Sequence, residues 1–147
     1  MDVLIRQARS EDTTAISQVI VAAVRESNGQ DYPASAIESV MANFTPERVI
    51  ELLQKRLVFV ALLDDEIVGT GALDGHAVRS LFVAPRQQRK GIGQALMGQI
   101  EKAALERGVE ALLVPSSLTA ERFYARLGYR LLREQVHGEE RTLIAHL

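Results

Sequence analysis

The sequence predicts an α/β fold (α+β in its segregated form), a mixed sheet with helices on its faces. Three observations lead there. Apolar residues switch between helical spacing, as at Ala15, Ile16, Val19, Ile20 and Ala23, and short continuous runs such as Leu57–Leu63. The pieces follow in the order β, two or three helices, βββ, α, β, α, ββ. Finally, the run Ala77–Val83 passes through a basic turn with two glycines, Gln88-Arg89-Lys90-Gly91-Ile92-Gly93, straight into an amphipathic pattern.

Val3–Ala8 is short and apolar, interrupted only by Arg6, and suits a first strand. Ser10 is placed to cap the helix that follows, with Glu11 and Asp12 in its first turn. Asn28-Gly29-Gln30-Asp31 ends that helix. A second helix carries Ile37, Val40, Met41 and Phe44 on one face. Thr45-Pro46 opens a third, a cap followed by proline at the first helical position, with Val49, Leu52 and Leu53 inward. Leu57–Leu63 is long enough for a strand covered on both faces. Asp64-Asp65-Glu66 turns the chain into its hairpin partner, Ile67–Leu73. After Asp74-Gly75-His76 comes the strand Ala77–Val83. The next helix places Ile92, Leu96, Ile100 and Ala103 on one face and stops at Gly108. Ala111–Val114 is a short strand and Leu118–Leu127 a helix ended by Gly128. Tyr129–Val136 and Thr142–Leu147 close the chain as a hairpin through His137-Gly138-Glu139.

Composition narrows the function classes. At 147 residues the expectation is one domain, residues 1–147. A formal net charge of −2 supplies no basic field for nucleic acid. Cysteine is absent, which removes disulfides, thiolate metal sites and a cysteine nucleophile and fits a reducing, cytoplasmic setting. The start Met1-Asp2-Val3-Leu4-Ile5-Arg6 lacks the plan of a signal peptide. No apolar run approaches the ~20 residues of a membrane helix, so no membrane partner is expected.

The glycine turn carries the clearest chemistry. N–H groups at a helix start point one way and carry roughly half a positive charge. Glycine lets an anion approach the backbone closely, and Arg89 and Lys90 add charge at the same place. The turn therefore reads as a diphosphate cradle. A triphosphate loop and a dinucleotide fingerprint are both missing their residues. A tight strand–helix connection with glycines for packing stays open as the plain alternative. Farther on, Phe123 and Tyr124 are neighbours on a helix and face about 100° apart, so with Phe123 in the core Tyr124 points to an edge or cleft. A tyrosine hydroxyl, with a pKa near 10, can donate its proton to a departing thiolate.

Taken together, these segments resemble the GNAT superfamily of acetyl-CoA-dependent N-acetyltransferases. The resemblance is carried by Arg79-Ser80-Leu81-Phe82-Val83-Ala84-Pro85, the turn Gln88 to Gly93, Ser116-Ser117-Leu118-Thr119-Ala120 and Phe123-Tyr124-Ala125-Arg126-Leu127-Gly128-Tyr129. The opening Ile5-Arg6-Gln7-Ala8-Arg9-Ser10-Glu11-Asp12 adds to it. It implies a mostly antiparallel central sheet, flanked by helices on both faces, whose strands at Ala77–Val83 and Ala111–Val114 splay apart. It implies acetyl-CoA as cosubstrate, its diphosphate on the backbone of Gln88, Arg89, Lys90, Gly91, Ile92 and Gly93. Leu81, Phe82 and Val83 would pair with the pantetheine arm, and Ser117 would stand where many members hold that arm with asparagine. Tyr124 would protonate the sulfur. The acceptor would bear an amine, and a homodimer is common among members.

The general base departs from the pattern. The positions where many members place glutamate are Ala77 and Leu112 here. His76 adjoins the first and titrates in a suitable range; a water chain or an acceptor of low pKa are the other sources. Acceptor recognition is expected between Asn28 and Phe44, with Asp31 and Tyr32 able to meet a cationic amine. His137 and His146 lack a third ligand near in sequence, so no metal is expected. With the glutamates missing, an acyl-CoA sensor without transfer activity stays open beside the enzyme.

Overall fold

The computed structural model describes residues 2–27, 33–88, 90–116, 120–134 and 141–147. In chain order the elements are β1 (Leu4–Gln7), a 3₁₀ turn (Ser10–Asp12), α1 (Thr13–Ser27), α2 (Ala34–Ala42), α3 (Pro46–Lys55), β2 (Leu57–Leu63), β3 (Glu66–Asp74) and β4 (Ala77–Val83). A second 3₁₀ turn (Pro85–Gln87) leads to α4 (Ile92–Glu106), β5 (Ala111–Ser116), α5 (Glu121–Arg126), β6 (Arg130–Glu134) and β7 (Arg141–His146). The strands form one sheet in the order β1-β2-β3-β4-β5-β7-β6. Every pairing is antiparallel except β4 with β5.

The continuous apolar run of β2 is explained by two cores, one on each face. Phe59, Ala61 and Leu63 enter the core under α4, among Ile92, Leu96, Met97 and Ile100. Val58 and Val60 enter the other, with Ile16, Ile20 and Val24 of α1 and Val49 of α3. Leu96 and Ile100 are 0% exposed, and burying each such side chain contributes about 1.5–3 kcal/mol. Among the described residues no helix is long and apolar enough to cross a membrane.

Local chemistry departs from expectation at the first helix. Ser10 makes no side-chain cap; α1 is entered through the 3₁₀ turn, and Asp12 does the capping. Asp12 Oδ2 accepts the Arg9 N–H at 2.7 Å, and its two oxygens accept both Arg6 terminal nitrogens at 2.7 and 3.0 Å. The polar interruption of β1 is thus the fork that ties it to the start of α1, and it holds the buried Asp12 carboxyl below the usual carboxylate range. Thr45 caps α3 as expected, accepting the Arg48 N–H at 3.4 Å, with Pro46 in the first turn.

Farther along, β5 continues past Val114 through Pro115 to Ser116. The Leu113 N–H points to β4, donating to the His76 carbonyl at 2.9 Å. The nitrogen of Pro115, two residues on, points the same way, where β4 offers no partner, so the missing N–H costs the sheet nothing. The helix expected at Leu118–Leu127 spans Glu121–Arg126; Leu118 and Thr119 lie outside the described residues. So does His137 in the closing hairpin.

Candidate active site

The joint between β4 and β5 consists of one pair, Ala77 with Leu113. Beyond it the strands part: β4 stays with β3 through Val83, and β5 stays with β7 through Ser116. The expected splay is therefore present, and it opens toward the C-terminal ends of both strands. Inside the opening, β4 bulges. Ala72 pairs with Arg79 and Thr70 with Phe82, so Ser80 and Leu81 share the space opposite Gly71. Ser80 adopts a φ of 54°, a left-handed conformation that costs a non-glycine residue about 1–2 kcal/mol. A Cβ on Gly71 would lie 2.7 Å from Leu81 Cδ1 and 3.1 Å from Ile100 Cδ1, so a larger residue there would have to displace both side chains. The faces alternate accordingly: Leu81 and Val83 pack on the α4 core, while Phe82 packs on the α1–α3 core and meets Phe44 edge-on at 5.9 Å.

At the open end, β4 runs through the 3₁₀ turn into α4. Gly91 precedes the helix at a φ of 80°, and no side chain caps the first turn. The Ala95 N–H turns back to the Gly91 carbonyl at 3.0 Å, so the amides from Ile92 to Gln94 stand at the helix start, ahead of its own hydrogen-bond ladder. Gly91 and Lys90 are exposed. Lys90 Nζ donates to Gln87 Oε1 at 3.0 Å, and Gln88 Nε2 donates to the Val83 carbonyl at 3.3 Å. Ile92 is 1% exposed, so its side chain belongs to the core and only its backbone faces outward chemistry. A Cβ on Gly93 would stand 3.0 Å from the Phe123 ring, a close approach between α4 and α5. Arg89 and Ser117 lie outside the described residues.

Across the opening, α5 carries Tyr124, 4% exposed. Its ring stacks edge-on with Phe123 at 5.1 Å and Tyr129 at 6.0 Å. Tyr129 is fixed behind it, donating to Glu101 Oε2 at 2.6 Å. Burial pushes the Tyr124 hydroxyl above its ordinary value, so it stays protonated across the physiological range.

Tyr124 is part of the wall of a cavity of about 900 Å³ lined by α2, α3, the bulged stretch of β4 and the end of β5. That size suits a small organic molecule. Pro33, Ile37, Val40 and Phe44 contribute the apolar side; Asn28, Asp31 and Tyr32, expected to help recognise the acceptor, lie outside the described residues. His76 is exposed in the turn before β4, at the closed end of the splay, and is not one of the lining residues. Ala77 and Leu112 are buried.

Sequence reasoning missed the charged side of this wall. Arg56, at the end of α3, reaches Asp74 at 3.6 Å and donates to Ser80 Oγ at 3.4 Å. Arg79 lies on the same face of β4 as Phe82. Arg79, the single charge within β4, was the available signal.

Against known proteins, residues 17–143 match the family model of the acetyltransferase (GNAT) domain. An N-acetyltransferase of Escherichia coli K12, YafP, is 29% identical over 134 residues, covering 91% of this chain and 85% of that protein. The structure of a GCN5-related N-acetyltransferase from Rhodopseudomonas palustris superposes with a TM-score of 0.93 at 25% identity, over 100% of this chain and 97% of that one. PaiA N-acetyltransferase from Thermoplasma acidophilum, solved in complex with coenzyme A, shares the fold at a TM-score of 0.90 and 18% identity, with 100% of both chains covered.

Proposed function

The chain belongs to the GNAT acetyltransferase family and is an acetyl-CoA-dependent acyltransferase, and on that premise we propose that it transfers the acetyl group to a primary amine by direct attack on the thioester. The observation that carries the reading is the single-pair joint between β4 and β5, which leaves an unpaired edge of β4 beside Tyr124 and the large cavity. The residues fit the cosubstrate: an uncapped helix start for the diphosphate and a free strand edge for the pantetheine amides.

In this reading the amides from Gln88 to Gly93 hold the diphosphate, with Arg89 and Lys90 supplying charge. The edge of Leu81, Phe82 and Val83 aligns the arm, helped by Ser117, and a Phe82–Val83 N–H polarises the acetyl carbonyl. The amine enters from the α2–α3 side. A nitrogen–carbon bond forms as the carbon–sulfur bond breaks; the nitrogen releases a proton to water, while Tyr124 gives its own proton to the sulfur and regains one from solvent. With no cysteine in the chain, an acyl-enzyme on a thiol is excluded. An alkyl ammonium with a pKa near 10.4 must first lose a proton. Water in the open cavity serves this step better than His76, which sits outside the lining.

The test is release of CoA thiol over a panel of amines, read with a thiol reagent to which the cysteine-free chain contributes nothing. Amine-dependent release is expected. Binding of acetyl-CoA with no release for any amine would make the chain a sensing module instead.

A further inference from the structure

The acceptor side of the cavity holds more positive charge than the chain neutralises. Among the described residues, Arg48, Lys55, Arg56 and Arg79 line it, against the single carboxylate of Glu51. Nothing in composition asks for this, since the chain as a whole is slightly acidic. Arg48 and Glu51 are an exposed pair at 3.5 Å. Asp74, outside the lining, partly answers Arg56. Arg79 is different: its Nε is buried and has no hydrogen-bond partner among the described residues. Burial draws the Arg56 guanidinium below its ordinary value, Asp74 opposes that, and Arg79 adds to it, so the two cations sense one another across the wall. Two neighbouring guanidinium groups, one with an unfilled buried donor, are a costly arrangement unless an anion completes it.

We propose that the acceptor is an amine that also carries an anionic oxygen group, carboxylate or phosphate, seated on Arg79 with Arg56 beside it. This rests on reading the cavity as the acceptor site. The planar guanidinium fork suits either oxyanion. The seat is separate from the diphosphate cradle. Arg79 lies two residues from the closed end of the splay, whereas α4 begins beyond the opposite end of β4, with the rest of the strand and the Pro85–Gln87 turn between them. The Ser80 bulge lies next to Arg79, so a molecule anchored there presents its amine toward the mouth where the thioester is expected. Polyamines, which bring only positive charge, are excluded by the same wall.

The experiment compares kcat/KM for matched acceptors: an alkylamine, the ω-amino acid and the aminoalkyl phosphate of equal chain length, and a diamine. Loss of a charge-assisted pair is worth about 10- to 100-fold, so the anionic members should lead the alkylamine by that factor, with the diamine last. Which of the two anionic members leads identifies the oxyanion. Arg79→Met should cut the preference at least tenfold, and Arg79→Lys should restore part of it. A diamine or alkylamine used as well as the anionic acceptors overturns the proposal, as does an unchanged preference in Arg79→Met. If no amine is acetylated, the transfer reading fails by itself. The seat is then decided by thermal shift with succinate and inorganic phosphate against sodium chloride at equal ionic strength: a rise lost in Arg79→Met supports it, and no rise overturns it. Should Arg79→Met not fold, the acceptor ranking of the unmodified chain decides.

Discussion

The two ends of β4 are built from different materials. Its C-terminal end, running into α4, offers backbone: exposed Gly91, an uncapped first helical turn, and Gly93 held against Phe123. Its N-terminal half faces the α2–α3 side through side chains, with Arg79 and Ser80 beside Arg56, and only Phe82, farther along, reaches across to Phe44. The first end presents amides that any member of a cofactor-sharing family can use, because a diphosphate is always the same shape. The second presents charges whose positions depend on which helix residues happen to arrive there. A constant ligand is served by backbone and a variable one by side chains.

Several variants break or sharpen this contrast. The largest effect should come from Tyr124→Phe, which leaves both ends of β4 in place and removes the proton donor between them. Turnover should fall about 100-fold while acetyl-CoA binding holds, as measured by steady-state rates beside a thermal shift; an unchanged rate would mean that solvent protonates the sulfur. Next comes Gly93→Val at the backbone end. Acetyl-CoA at a hundredfold over its Kd should stabilise the unmodified chain by about 2.7 kcal/mol. In the variant that increment should vanish, through crowding at the cradle and displacement of Phe123. The melting temperature without ligand also falls, so the increment is the quantity to read, and a normal increment would put the cradle elsewhere.

Asp12→Asn tests the fork that ties β1 to the start of α1, away from both ends of β4. Losing its charge-assisted bonds should cost about 2 kcal/mol in denaturant unfolding. The carboxyl is held low in the folded chain, so its contribution is complete above the unfolded value near 3.9. That contribution is lost as pH falls through the lower folded value. The variant should therefore show a shallower loss of stability in acid than the unmodified chain; equal slopes would contradict this. The smallest effect belongs to Thr45→Ala, which uncaps the helix bearing Arg48 and Arg56. It should cost about 1 kcal/mol and weaken acceptor use more than acetyl-CoA binding.

The same contrast decides what could be read from the sequence. Strands, hairpins and the glycine turn were legible because each is a local pattern of apolar period and turn chemistry. The splay was available only through family resemblance. Pro115 reads as a strand breaker until one knows that its nitrogen faces an edge without a partner. The bulge at Ser80 was hidden because it uses a left-handed serine, where a glycine would have advertised the turn. Asp12 looked like one of two acids in a first helical turn, and only the folded chain brings Arg6 to it. The basic wall joins residues as far apart as Arg48 and Arg79, a separation that no periodicity encodes.

A crystal structure with CoA bound tests the central claim most directly. The diphosphate should lie on the amides at the start of α4, the pantetheine arm along residues 81–83, and the sulfur within about 3.5 Å of the Tyr124 hydroxyl. A structure with β4 and β5 closed together beyond Ala77 and Leu113, or with CoA seated away from that opening, would contradict it.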